Sequence, residues 1–203
     1  MDEGRQFHNE DIDELQMAML NEVHAPVLLK YREKLVSDVL EQADNQERHI
    51  ADKKERAAED AFYCMLYETE IRRIKYMVEK YLQARLRKIN NNLFWYWANH
   101  SEGMLSREEQ AFVESEVDSH RILVEETFEG SVLCAERVLE LMARKDTGGD
   151  TKQVVFVKTE KGFEEADVIV DGEEIKLGEC ETLLAKYGDV HDVVSGGEFV
   201  SLI

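Results

Sequence analysis

Six histidines, three cysteines and 44 acids are the raw material for metal or acid–base chemistry in this chain of 203 residues. A carboxylate-bridged di-iron site needs Glu and His three apart on two helices. The residues three before His8, His24, His49, His100, His120 and His191 are Arg5, Asn21, Gln46, Trp97, Val117 and Gly188, so that pattern is missing. Cys64, Cys134 and Cys180 are odd in number, far apart and without C-x-x-C spacing. That argues against a zinc site and a disulfide framework, and for a reducing compartment. Each thiol reads as a small core or interface residue. Gly148-Gly149 and Gly196-Gly197 lack the flanking pattern that lets backbone N–H groups cradle phosphate, and G-x-S-x-G is absent. The expectation is a chain with no catalytic residue, no metal and no cofactor.

One stretch is chemically distinct. Arg72, Arg73, Lys75, Lys80, Arg85, Arg87 and Lys88 place seven bases within residues 72–88 against one acid, Glu79, with Tyr76 and Tyr81 interleaved. Bases beside aromatics can hold a nucleic acid, phosphates on the cations and nucleobases on the rings. The same bases can pair with carboxylates of this chain or of a partner. The overall charge favours pairing: 25 bases against 44 acids leave −19, a field that repels phosphate backbones and anionic membranes. No apolar run approaches the length of a membrane span, and the acidic start Met1-Asp2-Glu3 has no apolar core of a signal peptide.

The elements that must position these residues read as helix over the first ~145 residues. Asn9 can cap a helix carrying Ile12, Leu15 and Met19. Pro26, the only proline, suits the first turn of a second helix with Leu29, Val36, Leu40 and Ala43. Residues 61–89 form the strongest helix, with Ile71, Ile74, Val78, Tyr81, Leu82, Leu86 and Ile89 along one stripe. Cys64, Met65, Tyr67 and Met77 lie off that stripe as an apolar surplus. An aromatic cluster, 94–97, follows. Ser106 and Glu109 form a capping box that opens another helix, with an interruption expected at Gly130.

The segment 146–151 is the clear linker signal, and the period beyond it becomes strand-like. Val154–Val157 reads as a strand. Val168–Val170 and Glu173–Leu177 read as a hairpin, because Asp171-Gly172 suits the positive φ angles of a type I′ turn. Residues 183–187 fit strand or helix equally. In Phe199–Ile203 neither face is obviously solvent's. Residues 146–203 hold 14 acids, 5 bases and no arginine. The expected organisation is a helical domain over 1–145, a linker over 146–151 and a small β-rich domain over 152–203.

The residues Tyr67-Glu68-Thr69-Glu70-Ile71-Arg72-Arg73-Ile74-Lys75-Tyr76 and Tyr81-Leu82-Gln83-Ala84-Arg85-Leu86-Arg87-Lys88-Ile89 resemble the central-helix signature of the GINS family, in its fourth, Sld-five-type subunit. Asn21-Glu22 with Ala25-Pro26-Val27-Leu28-Leu29, the helix start Leu105-Ser106-Arg107-Glu108-Glu109, and the ending from Val194 to Ile203 resemble further elements of that subunit, in the same order. Glu10–Leu15 is similar to the first helix of the family rather than to a peptide for a replisome hub protein. The resemblance implies a mainly α protein: a helical-bundle A domain followed by a small β-rich B domain. It also implies a strand at 183–187 and a short helix at 188–195.

It implies a non-catalytic scaffold subunit of a nuclear heterotetramer. Its partners would be three sister GINS subunits and, through the complex, the MCM ring and the Cdc-forty-five protein of the CMG replicative helicase. The interface candidates are Arg72, Arg73, Tyr76, Tyr81, Arg85, Lys88, Phe199, Leu202 and Ile203. The alternative is an adaptor that binds nucleic acid directly through 72–88.

Overall fold

The structure is a computed structural model and describes residues 10–56, 61–99, 103–128, 134–144, 148–196 and 199–203. The Asn9 cap, the Gly130 interruption and residues 146–147 of the expected linker lie outside them. The helices are α1 (Glu10–His24), α2 (Glu33–Arg56), α3 (Ala61–Asn91), α4 (Leu93–Ala98), α5 (Arg107–Thr127) and α6 (Ala135–Ala143). Then come β1 (Val154–Thr159), β2 (Ala166–Val170), β3 (Glu173–Leu177), β4 (Thr182–Lys186), α7 (Tyr187–Gly196) and β5 (Val200–Leu202). The chain is mainly α, with a helical N-terminal region and a small strand-rich C-terminal one.

Local chemistry accounts for several boundaries. Glu10, Asp11 and Asp13 fill the first turn of α1, where the helix dipole favours negative charge. At α5 the Ser106 side chain accepts from the Glu109 N–H, and the Glu109 carboxylate accepts from the Ser106 N–H at 2.8 Å. The hairpin of β2 and β3 turns at Asp171 and Gly172, with φ of 50° and 91°. Residues 182–186 are strand and 187–196 helix. Strands β4, β1 and β5 form one antiparallel sheet with β1 in the middle.

Pro26 does not begin a helix. Residues 25–32 run without helix and α2 starts at Glu33. The reason is tertiary. This strap alternates like a strand: Ala25, Val27 and Leu29 pack on the sheet core, whereas Leu28 enters the helical core with Ile89, Leu93, Tyr96, Val113, Val117 and Leu139. A helical turn would bring 25, 28 and 29 to one face and lose that division.

By compactness the chain divides into two units. The first consists of Met1–Met19 and Arg32–Leu82. Ala43 and Ile50 of α2 cluster there with Cys64 and Ile71 of α3. Lys75 reaches Asp44 at 3.2 Å and Glu47 at 2.9 Å, and the Arg32 N–H donates to the Tyr81 hydroxyl at 3.2 Å. Of the apolar surplus on α3, Cys64 and Met77 are buried here, and Met65 and Tyr67 are exposed.

The second unit consists of Leu20–Tyr31 and Gln83–Ile203. The strand-rich residues therefore share a compact unit with the strap and with α4 to α6, a line different from the change of period at 146–151. Two contacts explain this. Val27 bridges to Gly149, where a Cβ would stand 2.6 Å from the Pro26 carbonyl oxygen; Gly149 has φ of 137°, so only glycine fits. Asn21 does more. Its side-chain N–H donates to the Val200 carbonyl at 2.8 Å, and its Oδ1 accepts from the Leu202 N–H at 2.7 Å. One amide side chain thus completes the edge of β5 opposite β1, as a neighbouring strand would.

Replacing Asn21 by Leu leaves a buried N–H and a buried carbonyl without partners, at about 1–3 kcal/mol each. Urea unfolding of Asn21→Leu is expected to show a loss of about 2–6 kcal/mol. Hydrogen exchange is expected to rise at 199–203 and in β1. Unchanged exchange at the Leu202 amide would refute the edge-completing role.

Candidate interaction surface and its buried charge network

The basic stretch faces several ways once it is wound on α3. Arg72 and Arg73 are exposed and pair with neighbours on their own helix, Glu68 at 3.9 Å and Glu70 at 3.0 Å. Such exposed pairs contribute about 0.3–0.5 kcal/mol. Tyr76 is exposed, with the Lys80 ammonium 5.3 Å from its ring centre. Tyr81 is buried.

Arg85 is wholly buried, with 0% of its side chain exposed. A guanidinium has five N–H donors, and each finds an acceptor. Nε and Nη2 grip the two Glu109 carboxylate oxygens at 2.7 and 2.9 Å. Nη1 donates to Glu22 Oε2 at 3.1 Å and to the Leu29 carbonyl at 2.6 Å, and Nη2 also donates to the Met104 carbonyl at 2.8 Å. The Tyr31 ring lies 5.1 Å away. One turn on, the Lys88 ammonium donates to Glu22 Oε1 at 2.7 Å and to the Val27 carbonyl at 2.8 Å. Burial is the main influence on Lys88: it pushes the ammonium below its ordinary value, opposed by the Glu22 carboxylate.

Two cations and two carboxylates therefore close on each other inside the second unit, tying α1, the strap, α3 and the start of α5. Glu109 serves twice, as capping residue and as the clamp on Arg85. Composition flagged the bases, and the capping box flagged Glu109, but not its second task. Glu22 carried no local signal, since it lies 63 residues from Arg85.

Tyr81, Arg85 and Leu202 are buried in their own chain and offer no surface to a partner. That corrects their reading as interface residues. Lys88 keeps 15% exposure and is engaged with Glu22. Arg72, Arg73, Tyr76, Phe199 and Ile203 do reach the surface. A broader surface, of which the sequence marked Met65 and Tyr67, lies at the start of α3: Phe62, Tyr63, Met65, Leu66 and Tyr67 are each about half exposed or more, while Cys64 between them is buried. Among the described residues no group of His, Cys, Asp and Glu could hold a metal ion, and no helix is long and apolar enough to cross a membrane.

A long helix locked to a capped helix by a buried arginine is the construction of a helical bundle. Residues 35–122 match the GINS complex protein helical bundle domain of the Sld5 type. The chain is 26% identical to the DNA replication complex GINS protein SLD5 of Debaryomyces hansenii, over 93% of this chain and 85% of that protein. It is 25% identical to the protein of that name from Schizosaccharomyces pombe, over 95% and 92%. The SLD5 protein of Xenopus laevis is 37% identical over 38% of this chain and 34% of its own. The chain is thus similar to GINS complex proteins of the SLD5 type, through its helical part and, at lower identity, over nearly its whole length.

Removing the guanidinium leaves Glu109 buried without its counter-charge and Glu22 with Lys88 alone. Arg85→Met is expected to cost about 3–5 kcal/mol in chemical unfolding. Arg85→Lys is expected to recover less than half of it, because one ammonium cannot occupy the five-acceptor cage. Full recovery by lysine would show that charge alone matters.

Alkaline pH tests the packing around this network. Burial pushes the Tyr96 phenol from 10.0 up to about 12, and the Tyr187 phenol, near Glu22, further still. A raised folded-state value means that the stability these phenols contribute is whole below pH ~10 and is lost as pH climbs from ~10 towards ~12. The thermal midpoint is expected to fall across that window, and less steeply in Tyr96→Phe.

Proposed function

We propose that the chain is a non-catalytic scaffold subunit of a nuclear GINS heterotetramer that takes part in DNA replication. In this reading three sister subunits cover its helical faces. The assembled complex joins the MCM ring and the Cdc-forty-five protein in the CMG replicative helicase, and this chain contributes position rather than chemistry. We further propose the division into a helical domain (1–145), a join (146–151) and a β-rich domain (152–203) as the family's A and B domains.

The observation that carries the reading is the alignment with SLD5 proteins over nearly the whole chain. The open apolar face of Phe62, Tyr63, Met65, Leu66 and Tyr67 supports it. Exposed apolar patches of this kind mark protein interfaces, and obligate interfaces are the more apolar ones. The adaptor alternative rests on Arg72, Arg73 and Arg87, the arginines of the basic stretch that face solvent. With Arg85 and Lys88 turned inward, they no longer belong to one continuous basic face.

Co-expression with three candidate sister subunits, read by native mass, is the test. One copy of each is expected in the complex. Tyr63→Asp with Leu66→Asp is expected to weaken assembly at least tenfold, since each places a charge in an apolar contact, while leaving the circular dichroism unchanged. Arg72→Glu with Arg73→Glu is expected to weaken it less. Assembly untouched by all four substitutions, alongside steeply salt-dependent DNA binding lost in the arginine variant, would establish the adaptor instead.

A further inference from the structure

The strand-rich region holds a groove that the scaffold reading does not use. The turn between β1 and β2 and the last turns of α7 enclose a cavity of about 730 Å³, within the usual range of binding clefts. Phe163 forms its floor, buried among the sheet core, with Val193 beside it. Phe199 forms a wall. Its ring stands over Gly162, three ring atoms 3.7 Å from where a Cβ on that glycine would lie.

Phe199 has φ of 63°, a conformation that a bulky residue adopts at a cost of roughly 1–3 kcal/mol. It is held there by its carbonyl, which accepts from the Glu160 N–H at 2.8 Å. The result is an aromatic ring 40% exposed beside the groove.

The rim is acidic. Glu164, Glu165 and Asp192 line the groove, no lining residue is a base, and among the described residues none of the three acids forms an ion pair with a base. The nearby Lys158 is engaged with Glu160 at 3.4 Å. Residues 146–203 carry a net charge of −9, so the field at the rim draws cations and repels phosphate. An aromatic trough bordered on both sides by unpaired carboxylates complements one kind of occupant: an apolar anchor with positive charge on either side of it.

We propose that this groove is a docking site for a short linear peptide of a partner protein, with a Phe or Leu anchor seated against Phe163, Val193 and Phe199 and flanking Lys or Arg on Glu164, Glu165 and Asp192. The proposal is independent of the scaffold reading, since it concerns neither the helical faces nor the sister subunits.

The test is a fluorescence-anisotropy titration of the full chain with a labelled peptide Lys-Arg-Lys-Phe-Leu-Lys-Arg. Two control peptides are used, one with every base replaced by Glu and one with Phe-Leu replaced by Gly-Ser. The first peptide is expected to bind saturably, and each control at least tenfold more weakly. Glu164→Gln/Glu165→Gln/Asp192→Asn, substitutions of surface carboxylates, is expected to weaken the first peptide on the order of tenfold while retaining the chain's thermal midpoint. Equal binding of the Gly-Ser control would overturn the proposal, because charge without an anchor is not docking. So would binding unchanged by the triple neutralisation. A concentration-dependent dimer in light scattering that the triple neutralisation abolishes would overturn it too, by assigning the groove to a second copy. The peptide controls need no substitution, so the test stands whichever variant folds.

Discussion

Burying a guanidinium is permitted only where every donor finds an acceptor and the charge finds a counter-charge. Arg85 meets both conditions through acceptors on four separate stretches of chain: Glu22 in α1, Leu29 in the strap, Met104 in the loop before α5, and Glu109 within it. The positions of those stretches are therefore not independent. If α5 shifts by one residue, the bidentate grip is lost along with the cap of the helix, because Glu109 serves both. If the strap becomes helical, the Leu29 carbonyl leaves Arg85 and the Val27 carbonyl leaves Lys88.

The end of α1 and the strap together extend the same constraint to the strand-rich region. Residues 20–31 supply Glu22 to the charge network, Leu28 to the helical core, Ala25 to the sheet core and Asn21 to the edge of β5. Four different physical tasks fall on ten consecutive-to-near positions, 20–29. The second compact unit gains its integrity from this, and a small sheet that could not hold a large core alone acquires one. A short edge strand with a satisfied outer edge is also a poor template for unwanted pairing.

Elements whose causes are local were legible in the sequence. The capping box needs only Ser106 and Glu109, the hairpin only Asp171 and Gly172, and the long helix only the period of its apolar residues. Pro26 was misread for the converse reason: proline is compatible with both a helix start and an extended strap, and the choice is made by two cores that lie elsewhere in the sequence. The candidate site divides the same way. That 72–88 is basic is plain from composition. That Arg85 points inward while Arg72 and Arg73 point out depends on carboxylates 24 and 63 residues distant. Phe199 and Ile203 on the surface, with Val200 and Leu202 inside, resolve a tail in which every apolar residue looked equally fit for burial.

Charge in the interior is weak evidence for stability, because a well-packed apolar replacement of a buried ion network is often as stable or more so. What such a network adds is intolerance. Apolar side chains slide over one another at modest cost, whereas five N–H groups facing five fixed acceptors admit one register. The distribution of side chains on α3 fits that distinction. Its first turns carry exposed Phe62, Tyr63, Met65, Leu66 and Tyr67, surfaces suited to another protein, and its last turns carry Arg85 and Lys88, which fix the same helix within its own chain. Within the second unit the buried arginine supplies that intolerance: the end of α1, the strap, the end of α3 and the start of α5 meet in the one register that satisfies it, so the charges that looked like a binding surface in the sequence act, by being withdrawn from solvent, on the chain's own packing.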